Sequence, residues 1–93
     1  MPKYMLVTFN FKEREAPASL EQTLDNALDW VCYAPNCYIL WTTSTEQQWH
    51  KRFKKILHEK DNFFVVEINI GSRSGWLPRS VWNWINEDRT KSD

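Results

Sequence analysis

The chain has no net charge: twelve Lys and Arg balance twelve Asp and Glu over 93 residues. That balance excludes the whole-surface positive field of a dedicated nucleic-acid coat and leaves only local patches to meet phosphate. Long apolar runs are also missing, and Met1, Pro2, Lys3 and Tyr4 enter an alternating pattern without the apolar block of a signal peptide. A cytoplasmic chain with no membrane partner is expected. Cys32 and Cys37 are too few for a disulfide framework or a four-ligand zinc site, and His50 and His58 complete no metal spacing. Free thiols are expected, with no metal and no cofactor.

The patterns of catalysis are equally thin. Neither cysteine has a sequence-local histidine to act as its base. Glu46, Glu59 and Glu67 form no definable acid and base pair, and GSRSG lacks the lysine and helix context of a phosphate-binding loop. No catalytic residue is assigned. There is no internal repeat and no low-complexity segment.

What is present is apolar and aromatic: 42% hydrophobic and 15% aromatic residues, six of them tryptophan, are enough for one domain to bury a core without staples. A single domain over 1–93 is expected, ordered from about 3 to 86, with a polar tail at 87–93. From Lys3 to Phe11 the pattern alternates, Met5, Val7, Phe9 and Phe11 on one face and Tyr4, Leu6, Thr8 and Asn10 on the other, which predicts a central strand. After KEREAP, Ser19 stands three residues before Gln22 as in a capping box, and Leu20, Leu24, Ala27, Leu28 and Val31 follow at helical spacing. A helix is predicted over 20–28.

The aromatic and β-branched segment DWVCYAPNCYILWTT is broken only at Pro35 and Asn36 and reads as a hairpin. A two-residue loop would set Tyr33 against Tyr38, Val31 against Leu40, Trp30 against Trp41 and Cys32 against Ile39. That register disfavours a Cys32 to Cys37 bridge. Ser44 or Thr45 can cap a second helix that places Trp49, Phe53, Ile56 and Leu57 on one side. The next strand, NFFVVEINI, has Phe64, Val66, Ile68 and Ile70 on one face and Phe63, Val65, Glu67 and Asn69 on the other. A glycine-punctuated loop then leads to Pro78 at the start of a short closing helix carrying Val81, Trp82 and Ile85.

The order is strand, helix, strand, strand, helix, strand, helix. It predicts an α+β, ferredoxin-like βαββαβ domain, a four-stranded antiparallel sheet with two helices on one face and a short C-terminal helix. The uncovered face is expected to show Tyr4, Leu6, Phe63 and Val65 with Thr8 and Glu67, an area large enough to favour a homodimer. Trp84, on a different side of the last helix from Val81, Trp82 and Ile85, is a further candidate contact with a second chain. Trp49 and Trp82 fall at core spacing.

Nucleic acid is the other candidate partner. Lys51, Arg52, Lys54 and Lys55 make a basic stripe on the second helix, and Arg73 and Arg79 flank the glycine loop; all six are candidate phosphate contacts. The same stripe also reads as a solvated helix face paired with Glu21, Asp25 and Asp29 of a neighbouring helix. Tyr4, Tyr38 and Phe63 are conceivable base-stacking platforms, although NFFVVEINI does not match the glycine-aromatic strand of RNA-recognition sheets.

The hairpin from Trp30 to Trp41, then KDNFFVVEINI, then GWLPRSVWNWI, resembles the SinR-like proteins. These are small bacterial and phage-encoded chains with the ferredoxin-like fold of the CRISPR-associated spacer-acquisition nuclease subunit. Lys60, Asp61 and Asn62, then Gly75, Trp76, Leu77 and Pro78, then Trp82, Trp84 and Ile85 carry the likeness, which extends over 5–86. The resemblance implies a ferredoxin-like fold and a non-catalytic homodimer acting through protein contacts, as a regulator or inhibitor in bacterial or phage defence. Its alternative is a nucleic-acid-binding protein or weak metal-dependent nuclease of the CRISPR-subunit or toxin-antitoxin type. In the related nucleases an aspartate ending the first strand binds a divalent metal with its symmetry mate, and here that position is Asn10, whose amide brings no negative charge. Asn10→Asp is therefore expected to gain Mg²⁺ or Mn²⁺ affinity, read by calorimetric titration. No gain would mean that Asn10 is not the matching position or that the dimer geometry differs.

Overall fold

The computed structural model describes residues 1–12 and 15–89; Glu13 and Arg14 of the first connection and residues 90–93 of the expected tail lie outside it. Four strands and three helices follow in the order β1 (Lys3–Asn10), α1 (Ser19–Leu24), β2 (Asp29–Ala34), β3 (Cys37–Thr42), α2 (Glu46–Lys54), β4 (Asn62–Ile68) and α3 (Arg79–Asn86). The strands form one antiparallel sheet in the order β2-β3-β1-β4. The architecture is α+β, with β1 central as its alternation requires. No helix among the described residues is long and apolar enough to cross a membrane.

The two faces of β1 serve two cores. Met5, Val7 and Phe9 join Tyr38 and Leu40 of β3 beneath Leu20 and Leu24 of α1 and Trp49 and Phe53 of α2. Phe9 meets Phe53 edge-on at 5.0 Å, and Trp49 stacks on Phe53 at 5.3 Å. On the opposite face Tyr4 and Leu6 join Ile39 and Val31 against Val81, Ile85, Trp82 and Trp84 of α3. The closing helix therefore covers the face that was expected to stand open, because its amphipathic stripe has no other apolar surface to meet.

The helices differ in what starts and stops them. Thr45 caps α2 in a full capping box: the Gln48 N–H donates to Thr45 Oγ1 at 3.2 Å, and the Thr45 N–H donates to Gln48 Oε1 at 2.8 Å. The box predicted for α1 does not form. Ala18 is its N-cap, Ser19 is already helical, and no side chain caps it. α1 also ends at Leu24 rather than 28, since the Asn26 and Ala27 N–H groups turn back to Thr23 and Leu24 and the chain must enter β2 at Asp29. Leu28 is consequently exposed.

The hairpin register also differs from expectation. Ala34 pairs with Cys37 across the Pro35 and Asn36 turn, where Asn36 takes φ 61°. A bulge then absorbs Tyr33, so Cys32 faces Tyr38, Val31 faces Ile39, Trp30 faces Leu40 and Asp29 faces Trp41. Both cysteines are free thiols.

Two buried polar groups tie elements together. Thr42 Oγ1, at the end of β3, accepts from the Ser44 N–H at 3.0 Å and from Trp49 Nε1 at 3.2 Å, which sets α2 over the sheet. Arg89 belongs to the expected polar tail, yet it is only 6% exposed. Its guanidinium lies 3.7 Å from the Trp84 ring centroid, donates to the Trp84 carbonyl, and pairs with Asp29 Oδ2 at 3.0 Å, locking α3 to the start of β2.

Thr42→Val keeps the volume but orphans two buried donors, so it should cost about 2–4 kcal/mol in urea unfolding, with Thr42→Ser retaining most of the stability. Equal stability of the valine and serine variants would show that the hydroxyl is not what holds the junction.

Candidate interaction surface

The cations of the basic stripe do not act alike. Arg52 donates from Nη1 to Ser44 Oγ at 2.8 Å and lies 4.6 Å over the Trp49 ring, so its charge belongs to the junction at Thr42. Lys51, Lys54 and Lys55 are exposed. None of the ion pairs among the described residues joins them to Glu21 or Asp25; Asp25 instead accepts from Trp30 Nε1 at 2.8 Å, and Asp29 holds Arg89. Arg73 donates to the Ile70 carbonyl at 2.9 Å and to Asn86 Oδ1 at 2.6 Å, fastening the glycine loop to the end of α3. Arg79 is exposed at the first position of α3. Because α2 and α3 cover opposite faces of the sheet, the six candidate phosphate contacts form two separate groups.

The aromatic candidates are largely used within the chain. Tyr38 is buried in the first core. Tyr4 packs 4.6 Å from Trp41 and meets Trp84 edge-on at 6.1 Å, so both rings are partly taken up within the chain and each keeps some exposed surface. The Trp84 Nε1 is buried and has no acceptor among the described residues. Phe63 lies 5.5 Å from Phe53 and 5.2 Å from His50.

The last contact exposes a register error in the expected open face. β4 pairs Leu6 with Val66 and Thr8 with Phe64, whereas Val7 faces Val65 and Phe9 faces Phe63. Opposed residues share a face, so Phe63 and Val65 turn toward α2, and Phe64, Val66 and Ile68 lie with Tyr4, Leu6 and Thr8. The apolar surface left outside α3 is thus Val66 and Phe64, the latter 60% exposed, with Trp76 of the following loop 99% exposed. Phe64 and Val66 were legible as an apolar face of their strand, but only the pairing shows which side they occupy.

The described surface carries several depressions. One of about 430 Å³ is lined by Glu46, Gln47, His50 and Lys51 of α2 with Val65 of β4. Another of about 320 Å³ lies between α1 and α2, lined by Thr23, Asn26, Arg52, Lys55 and Ile56. A third, about 180 Å³, is lined by Thr8, Phe9, Asn10, Asn62, Phe63 and Phe64, so the strand end that holds Asn10 offers amides and aromatic rings. Beside it the Asp61 carboxylate accepts from the Lys12 N–H at 3.2 Å and the His58 N–H at 2.8 Å, which pins the exit of β1 to the turn before β4. Comparison with known proteins finds no matching family model, curated protein or solved structure.

Burial pushes the phenols of Tyr33 and Tyr38 above the usual tyrosine value, and the neighbouring cysteines raise them further, Cys37 at Tyr33 and Cys32 at Tyr38. A raised folded value means that the unfolded chain loses these protons first, so their contribution is intact below pH 10 and is lost as pH rises through the folded values. Phenolate absorbance should show two tyrosines titrating late, with unfolding moved to lower urea in the same interval; Tyr33→Phe and Tyr38→Phe should each remove one late step.

Proposed function

We propose that this chain is a ferredoxin-like, SinR-like protein without catalytic activity that works through protein contacts as a homodimer. The order β2-β3-β1-β4, with α1 and α2 on one face, supports the ferredoxin-like assignment. The observation that carries the functional reading is the apolar strip of Val66 and Phe64 beside α3, with Trp76 99% exposed ahead of that helix. Exposed aromatics of this size anchor protein interfaces, and a single chain gains nothing by leaving them in water. Two free thiols suit a cytoplasmic setting, and the SinR-like resemblance suggests a regulator or inhibitor in bacterial or phage defence.

The alternative is a nucleic-acid-binding protein or weak nuclease, for which Lys51 and Lys54 on α2 and Lys55 at its C-cap supply an exposed group of cations. Asn10 and Asn62, paired at the ends of β1 and β4, supply neutral amides where a hard metal would need carboxylate charge.

Light scattering should give about twice the chain mass, and Phe64→Glu should move it toward one chain without loss of the folded circular dichroism spectrum. In parallel, fluorescence anisotropy with labelled RNA and duplex DNA, with Mg²⁺ present, should show no salt-sensitive binding. Tight binding that weakens steeply with salt and is lost on changing Lys51, Lys54 and Lys55 to Ala would replace this reading with the nucleic-acid one.

A further inference from the structure

The sheet has two edges, and they are built differently. The β2 edge carries the bulge at Tyr33, which spoils the straight row of donors and acceptors that another strand would need. The β4 edge has no such device. Its pairing with β1 is continuous from Asn62 to Ile68, and its sequence, NFFVVEI, holds no proline and no lysine and a single charge, Glu67. Edge strands of soluble proteins are ordinarily blunted, so one that is regular and apolar is a template for pairing.

The direction of its free backbone groups can be worked out. The Phe9 N–H donates to the Asn36 carbonyl at 2.9 Å, on the β3 side of β1. Residues of an antiparallel strand alternate in the neighbour they address, so Tyr4, Leu6, Thr8 and Asn10 turn theirs to β4. Their partners are Ile68, Val66, Phe64 and Asn62. The N–H and C=O groups of Phe63, Val65 and Glu67 therefore point away from the sheet, and among the described residues no backbone hydrogen bond reaches them.

We propose that β4 pairs antiparallel with β4 of a second copy about a two-fold axis at Val65, joining the two sheets into one. The inference rests on the homodimer reading and specifies its geometry. Full overlap of the strand with itself allows one register: Val65 opposite Val65, Phe63 opposite Glu67, Phe64 opposite Val66 and Asn62 opposite Ile68. In that register the free groups of Phe63, Val65 and Glu67 meet the same groups of the other copy. Any other symmetric register leaves strand ends unpaired.

The side chains fit the same arrangement. On the α2 side, Glu67 of each copy comes opposite Phe63 of the other, whose ring lies 5.2 Å from His50. The Glu67 side chain is 56% exposed and its carboxylate lies 3.9 Å from Lys3 Nζ. It comes beside the 430 Å³ depression of the second copy, whose lining offers it the ammonium of Lys51 alongside Glu46, Gln47, His50 and Val65. On the other side, Phe64 covers Val66 of the second copy, extending the apolar strip across the axis. An unrelated peptide could use the same backbone groups but would not bring a carboxylate to both ends at once, which is why the second copy is the favoured occupant.

Hydrogen exchange of the wild-type protein tests this directly. The amides of Phe63, Val65 and Glu67 should exchange about tenfold slower or more where the dimer dominates than after dilution to single chains, whereas those of Phe64 and Val66, in the β1 ladder, should be protected at both concentrations. Val65→Pro removes an outward donor without touching that ladder and should weaken association by on the order of tenfold or more. A dimer whose Phe63, Val65 and Glu67 amides stay unprotected would overturn the β4 geometry and leave the homodimer reading standing. A wild-type monomer at every concentration would overturn both. If protection at these amides appears only when a peptide or another protein is added, the edge takes a different partner and the proposal fails.

Discussion

Everything in this molecule is arranged around a strand that has no free side. β1 is hydrogen-bonded to β3 on one edge and β4 on the other, and both of its faces are packed, Met5, Val7 and Phe9 under α1 and α2 and Tyr4 and Leu6 under α3. A slip of one residue would carry every one of those side chains to the wrong core. The registers of β3 and β4, and through them the placement of the helices, are therefore fixed by the alternation of a single stretch of eight residues. The polar anchors at Thr42 and Asp61 act at the ends of this frame, one setting the start of α2 and the other tying the exit of β1 to the turn before β4.

This arrangement sorts the charged residues by duty. Arg52, Arg73 and Arg89 each have a planar guanidinium engaged with a ring, a carbonyl, a hydroxyl, an amide or a carboxylate of the chain itself. The lysines of α2 stay in solvent. Guanidinium groups suit such fixed, directional positions better than a strongly hydrated ammonium does. A basic stripe in the sequence is thus two populations in the structure, and only the lysines remain available to an outside partner.

What could be read from the sequence was whatever depends on neighbours a few residues away. The alternation of β1, the Thr45 and Gln48 box of α2, the core spacing of Trp49 and Phe53, and the turn at Pro35 and Asn36 are all local patterns, and each is in place. What could not be read depends on distant partners. The Tyr33 bulge shifted the hairpin register, and the apolar spacing that runs on to Leu28 and Val31 lengthened the expected α1 although Val31 belongs to a strand. The two faces of β4 were correctly separated, yet their assignment to the sheet needed its pairing with β1. Arg89 sits in EDRTKSD, a stretch with no local sign of burial, and only Asp29 and Trp84 give it a place.

The lock at Arg89 also bears on the order in which the protein can assemble as it is made. The first core needs nothing beyond β4, since its walls come from β1, α1, β3 and α2. The second waits for α3 and then for the arginine that follows it. In the order of synthesis, the residues that seal the first core all precede the helix that covers Tyr4, Leu6, Val31 and Ile39 on the other face. Arg89 thus works as a latch on α3 from a position that follows every strand and helix it fastens.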